Sequence, residues 1–283
     1  MFDSESESSS ARLLAPNRHI MLSPHYDDIA LSLGGTAASL AEAGKTPTVA
    51  ILFGAEPDPV LPLTSFAEKL HRQWGLPATE VIAKRRREEE AAAAVLGVSP
   101  RYLPFRDAIY RGDRYTSNAA LFGDRAADEV ALPGEIAGSL ELTSSDVSGT
   151  RVYAPLGIGR HVDHQTAFAA GAELAGAGWE VWFYEDMPYA LKSGAPGDRL
   201  KALEQQYSSE IAAVIDVEET WTTKINAILS YPSQLRTVFA YVEQESSREV
   251  IEAVMSEYAR SIGLGRRAER LWRLITSANS VVG

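Results

Sequence analysis

Short apolar runs alternate with amphipathic stretches through most of the chain. His19-Ile20-Met21-Leu22 is a run of strand length, and beyond it Ile29, Leu33, Ala37 and Leu40 recur at helical spacing. A second buried run over 46–53 ends at Gly54 and a proline-rich loop over 56–62. Strand, helix and strand in that order imply a right-handed parallel crossover. Ser65 can cap a helix through about Trp74, and a further helix is expected from near Thr79 to Leu96, stopped by Gly97. Tyr102–Phe105 reads as a third strand. The polar stretch 106–115 after it has no period, and loops of that length are often functional. A helix broken near Pro133-Gly134 fits 124–140. A strand over 151–155, a helix from Gln165 to about Ala177 and a strand over 180–184 follow, the last leading into Glu185-Asp186, two acids placed to shape a pocket. Past Pro196-Gly197 the pattern is mostly helical, with one strand at 212–216 and an amphipathic helix over 248–262. The expectation is an α/β fold, a mostly parallel sheet in a single domain.

Composition narrows the class of function. At 283 residues and 45% hydrophobic content the chain can bury a substantial core, and no break in composition divides it. Residues 1–17, with Asp3-Ser-Glu-Ser-Glu-Ser-Ser-Ser10, are expected as a disordered N-terminal tail ahead of a domain over 18–283. That start lacks the basic and apolar regions of a signal peptide, and no apolar run reaches the roughly 18 residues of a membrane span. A soluble, cytoplasmic protein is the expectation. The net charge of −11 argues against a nucleic-acid partner, since Lys84-Arg85-Arg86-Arg87 is followed at once by three glutamates. Oligomeric state is not legible. With no cysteine, any metal must be held by imidazole and carboxylate.

Such residues gather at two predicted strand ends. Ser23-Pro-His25-Tyr-Asp27-Asp28 follows the first strand, and His161-Val-Asp163-His164 follows the strand over 151–155. In a parallel sheet both open on the same edge, where α/β folds bind ligands. A catalytic zinc takes three protein ligands and keeps one position for water, and His25, Asp28 and His164 offer that set. Asp27 could take the proton of an attacking water, His161 could serve as proton donor or oxyanion stabiliser, and Asp163 is placed to support a ligand. A lone Asp at a helix start is usually just a cap; the pairing of two such clusters argues against that reading. In Arg85-Arg-Arg-Glu-Glu-Glu90 the plain expectation is a solvated ion-pair face, with a substrate-facing Arg86 as the alternative. Arg before Glu is the weaker order for helix pairing.

At these residues the sequence resembles the PIG-L/LmbE-like family of zinc-dependent N-deacetylases. The resemblance is carried by Pro24-His25-Tyr26-Asp27-Asp28, Gly34-Gly35, Arg86-x-x-Glu89 before Leu96-Gly97, and His161-Val-Asp-His164, in order over roughly 18–185. It implies a Rossmann-like α/β fold with helices on both faces, and hydrolysis of an N-acyl group, typically acetyl on a glucosamine unit or its conjugate. It also implies Zn2+, or another divalent metal, on His25, Asp28 and His164, with Asp27 as general base, His161 as acid or oxyanion partner and Arg86 at a substrate-contact position. Tyr26 stands where the family usually has proline, and Ile29 where glutamate is frequent. Gly159 stands where some members carry a tyrosine, so a second oxyanion donor must come from elsewhere or be absent. Gly157-Ile-Gly159 lacks the third glycine of a dinucleotide fingerprint, and neither a Walker lysine nor a Gly-x-Ser-x-Gly elbow is present. Cleavage of another amide, such as that of a thiol conjugate, and non-catalytic metal or ligand binding are the alternatives.

Overall fold

The computed structural model describes residues 9–75, 77, 79–240 and 247–276. Its strands are β1 (Arg18–Ser23), β2 (Thr48–Ile51), β3 (Ser99–Tyr102), β4 (Thr150–Pro155), β5 (Glu180–Tyr184), β6 (Tyr207–Asp216) and β7 (Ala268–Thr276). Between them run helices α1 (Ser9–Leu14), α2 (Asp28–Glu42), α3 (Ser65–Trp74), α4 (Val81–Leu96), α5 (Asn118–Leu121), α6 (Leu132–Ser139), α7 (Val162–Gly176), α8 (Ala195–Leu203), α9 (Trp221–Ile228), α10 (Leu235–Val238) and α11 (Arg248–Ile262). All seven strands form one sheet in the order β3-β2-β1-β4-β5-β7-β6.

The first five strands in chain order are parallel, with Ile20 of β1 facing Thr48 of β2 on one side and Val152 of β4 on the other. From β1 the chain winds outward through β2 to β3, then returns to β4 on β1's other flank and winds the opposite way to β5. Right-handed crossovers in opposite directions put their helices on opposite faces of the sheet. Accordingly α2 and α4 pack with α9 on one face, and α7 packs on β4, β5 and α6 on the other. The place where the winding reverses, between the carboxyl ends of β1 and β4, is where such sheets leave a crevice. Both histidine clusters follow those two strand ends.

Several expectations need correction. The segment expected as a disordered tail contains α1, whose Leu13 is buried and whose Arg12 and Leu13 carbonyls accept from Arg151; residues 1–8 lie outside the described residues. The third strand lies three residues earlier than expected, because pairing of Thr48 with Ser99 sets its register, and Pro100 is tolerated on an edge strand. The largest miss is β7, read as helical. Its Leu271 and Leu274 sit three apart, and the alternation that marks a strand is masked by a charged residue, Glu269, on the buried face. β7 pairs antiparallel with both β5 and β6.

Glu269 has a task in the core. α2 breaks at Leu33 (φ −127°, ψ 18°), and the backbone amides of Gly35 and Thr36 donate to the two Glu269 oxygens at 3.0 and 2.8 Å. Lys224 of α9 donates to the same carboxylate at 2.6 Å, with both side chains buried. Gly35 must be glycine there, since a Cβ would lie 2.5 Å from Val217. Among the described residues no helix is long and apolar enough to cross a membrane.

Candidate metal and active site

Backbone geometry at the two strand ends fixes the cluster. Asp28 is the first residue of α2, and its Oδ2 accepts from the His25 amide at 2.6 Å, closing a tight turn. Asp27 occupies the cap position without making a side-chain cap bond, so its carboxylate is left to the crevice. On the other strand end His161 itself caps α7, its Nδ1 accepting from the Asp163 amide at 3.2 Å; the helix therefore starts at Val162, not at Gln165. This leaves the proton of a neutral His161 on Nε2.

His25, Asp28 and His164 bring one ligand atom each within 4.8 Å of one another. His25 Nδ1 lies 3.6 Å from Asp28 Oδ2, and His164 Nε2 lies 3.4 Å from Asp28 Oδ1. The far nitrogen of each ring is occupied. His25 Nε2 is 3.0 Å from Asp163 Oδ2, and His164 Nδ1 is 2.7 Å from Asp186 Oδ1. A carboxylate behind a histidine sets the tautomer that leaves the opposite nitrogen's lone pair for a metal. A second grouping, His25 with His161 and Asp163, also has the spacing. It fits a cation poorly, because Asp163 already accepts from Arg111 at 2.7 Å and from the Ala108 amide at 3.0 Å. The donor set His25–Asp28–His164 suits a divalent ion that takes nitrogen and oxygen.

The electrostatics follow from burial and crowding. Burial pulls the His25 imidazole down, but Asp107, Asp163 and Asp28 around it outweigh this and hold it up at about 9. Burial, with His25 beside it, pushes His161 well below the usual range, so its ring is neutral. Burial raises the Asp27 carboxyl, against the pull of the Arg85 guanidinium 3.5 Å away.

Arg85, Asp107, Arg111 and Asp186 surround the expected residues. Arg85 is buried between the rings of Tyr26 and Trp74, whereas Arg86 lies over the ring of Tyr102 at 4.4 Å. Helix α4 is thus no solvated ion-pair face. Glu88 accepts from Ser233, and Glu89, its carboxyl raised by burial to about 8, accepts from the Tyr231 hydroxyl. Periodicity carried the signal: Val81, Ala92 and Leu96 define a stripe on which Arg85 and Glu88 also fall. Tyr26, in the place of the family's proline, turns inward and donates to the Gly54 carbonyl at 2.6 Å. Ile29, in the place of a glutamate, is core. The space a side chain at Gly159 (φ +84°) would need is filled by Tyr189, whose ring atoms would lie 2.4 Å from a Cβ there. That ring stands edge-on to His164 at 5.5 Å.

The sequence profile of the family described as GlcNAc-PI de-N-acetylase matches residues 20–175, more than half of the chain. A 2'-N-acetylparomamine deacetylase of Niallia circulans is 32% identical over 188 residues, 60% of this chain and 66%, just under two thirds, of that protein. A protein of the same description from Streptomyces fradiae is 29% identical over 224 residues, covering 78% of this chain and 75% of its own. Among solved structures, a zinc-inhibited form of teicoplanin deacetylase Orf2 superposes with a TM-score of 0.74 at 26% identity, over 93% of this chain and 100% of that one.

Proposed function

Since the chain belongs to the GlcNAc-PI de-N-acetylase family, we propose that it is a metal-dependent hydrolase that removes the acetyl group from an N-acetylated amino sugar or its conjugate. The observation that carries this reading is the division of labour at the crevice. Two histidines backed by carboxylates face Asp28, while Asp27 and His161 stand beside them with no need to serve as ligands.

His25, Asp28 and His164 would hold Zn2+ or another divalent ion, which supplies Lewis-acid polarisation of the amide carbonyl and acidification of water. Asp27 takes the proton of the attacking water; burial raises its carboxyl toward the range suited to a base near neutral pH. Arg85 holds that carboxylate in place from the core side. His161, neutral and with Nε2–H free, donates a hydrogen bond to the oxygen on which charge develops, a role often worth about 10²–10³ in rate. Asp163 and Asp186 act through the histidines by fixing their rings. Tyr189 packs the near end of its side chain against Gly159, and burial with Asp28 and Asp186 close by raises its hydroxyl, which makes that hydroxyl the candidate for a second donor to that oxygen.

The test is acetate release by metal-replete protein across a panel of N-acetylated amino sugars and their glycosides. Release from at least one, lost on chelation and restored by metal, is the expected result. Cleavage of a different amide with no acetate from any member would overturn it.

A further inference from the structure

Beside the histidine cluster opens a groove of about 950 Å³. Its inner wall is formed by Phe122 and Tyr189, which stand edge-on to His161 at 5.4 Å and to His164 at 5.5 Å. A substituent on a sugar held at the cluster would enter there. The charged side chains lining it are Arg160, Lys192, Arg199 and Asp198. Arg160 is matched by Asp124 at 2.6 Å, which leaves two cations facing one carboxylate. In a chain of net charge −11 this is a local reversal of sign.

Arg199 is the centre of that reversal. Its Nε donates to the Leu156 carbonyl at 2.8 Å and its guanidinium lies over the Phe168 ring at 4.7 Å, so the group is held in one place. Among the described residues no carboxylate lies within ion-pair distance of it. Asp186, the acid that acts on it through space, is already engaged by His164 and by the amides of Gly157 and Ile158. A positioned arginine of this kind, partly desolvated and without a counterion, is costly unless a ligand supplies the anion.

We propose that this groove binds the group attached to the acetylated sugar, and that this group pairs an apolar or aromatic body with a carboxylate or similar oxyanion held by Arg199. The inference rests on the deacetylase reading for the sugar's position, while the groove's preference for an anion is testable without turnover. Three aryl glycosides of N-acetylglucosamine serve as probes, alike except for a para carboxylate, a neutral carboxamide or an aminomethyl cation. Binding is measured by calorimetry and acetate release by kcat/KM. The expected order is carboxylate, carboxamide, cation, with the first about tenfold ahead of the second, as a charge-assisted hydrogen bond gives. Raising salt from roughly 0.05 to 0.5 M should shrink that ratio. Arg199→Gln should bring it near one and Arg199→Lys should keep part of it; reading a ratio within each variant cancels any general loss of folded protein. Equal binding of all three probes, preference for the cation, or a preference that persists in Arg199→Gln would overturn the proposal. If the carboxylate probe binds best yet none of the three releases acetate, the groove stands and the deacetylase reading is what fails.

Discussion

The two histidines that face Asp28 are supported in different ways. Behind His164, Asp186 is fixed by the main chain: its Oδ2 accepts from the amides of Gly157 and Ile158 at 2.9 and 3.1 Å. Behind His25, Asp163 takes one main-chain amide, that of Ala108 at 3.0 Å, and is otherwise held by the Arg111 side chain in the loop after β3, with Arg111 held in turn by Glu129 at 2.8 Å. Glu129 also accepts from the Tyr115 hydroxyl at 2.7 Å. Main-chain amides in the short loop after β4 hold an acid with no side-chain freedom to restrain. A chain of long side chains must be ordered first, at a cost in conformational entropy. The His164 half thus rests on main-chain amides of the loop after β4, and the His25 half mostly on side chains of the loop after β3.

The largest expected effects test the division between ligands and their neighbours. His164→Ala should lose both metal, by elemental analysis, and acetate release. Asp27→Asn and His161→Ala should keep metal while kcat falls by about 10²–10⁴. Loss of metal from His161→Ala to the same extent would merge the two roles. Next come the supporting acids. Asp163→Asn and Asp186→Asn should each weaken metal binding by about 10–100-fold, and Arg111→Gln should weaken it by less while making it more salt-sensitive. If Arg111→Gln leaves metal affinity untouched, the loop is not part of the support and the comparison collapses.

Smaller effects sharpen the surroundings. Arg85→Ala should lower kcat by about tenfold or more, since it strands the buried Asp27 carboxylate. Arg86→Ala should cost about twofold, as expected of a side chain stacked on Tyr102; a loss in kcat/KM as large as that of Arg85→Ala would restore Arg86 to substrate contact. Tyr189→Phe should lower kcat about tenfold at unchanged metal content if its hydroxyl is the second donor, and unchanged kcat would discard it. The smallest expected effect lies at the far end of β1. His19 is driven down to about 4, by burial first and by Arg151 second. Its unfolded form gains a proton near pH 6.5 and its folded form only near 4, so stability should decline as pH falls through that window. Melting curves from pH 7 to 4.5 should be shallower for His19→Gln than for the parent.

How far the sequence could be read follows the same division. The strand over 180–184 and the helix over 248–262 come out at the expected bounds, and α3 starts one residue early because Thr64, not Ser65, caps it; their apolar periods are regular and their ends carry glycine or a capping residue. His25, Asp27, Asp28, His161, Asp163 and His164 are legible as candidates because they are close in sequence at two strand ends, and the structure gathers the two clusters in one crevice. Asp107 and Arg111 lie in the aperiodic polar stretch after β3. Asp107 faces His25 and Arg111 meets Asp163, each more than fifty residues away in sequence, and no local pattern reports such a pairing. Choosing Arg85 over Arg86 needed the helix stripe to be followed through charged positions, where hydrophobicity is silent. β7 was missed for the same reason, a buried charge inside an apolar alternation.

That buried charge also sets an order of events. α2 begins with Asp28, yet the carboxylate that meets the amides of Gly35 and Thr36 at its break lies 234 residues downstream of Gly35. At roughly 5–20 residues per second of synthesis, the emerging chain waits on the order of ten to fifty seconds for Glu269. During that interval the broken helix has no partner for those amides, and Lys224, when it arrives, has no counterion. A chain that presents its first histidine–carboxylate motif near the start therefore completes the helix that carries it only after its last described strand has slid between β5 and β6.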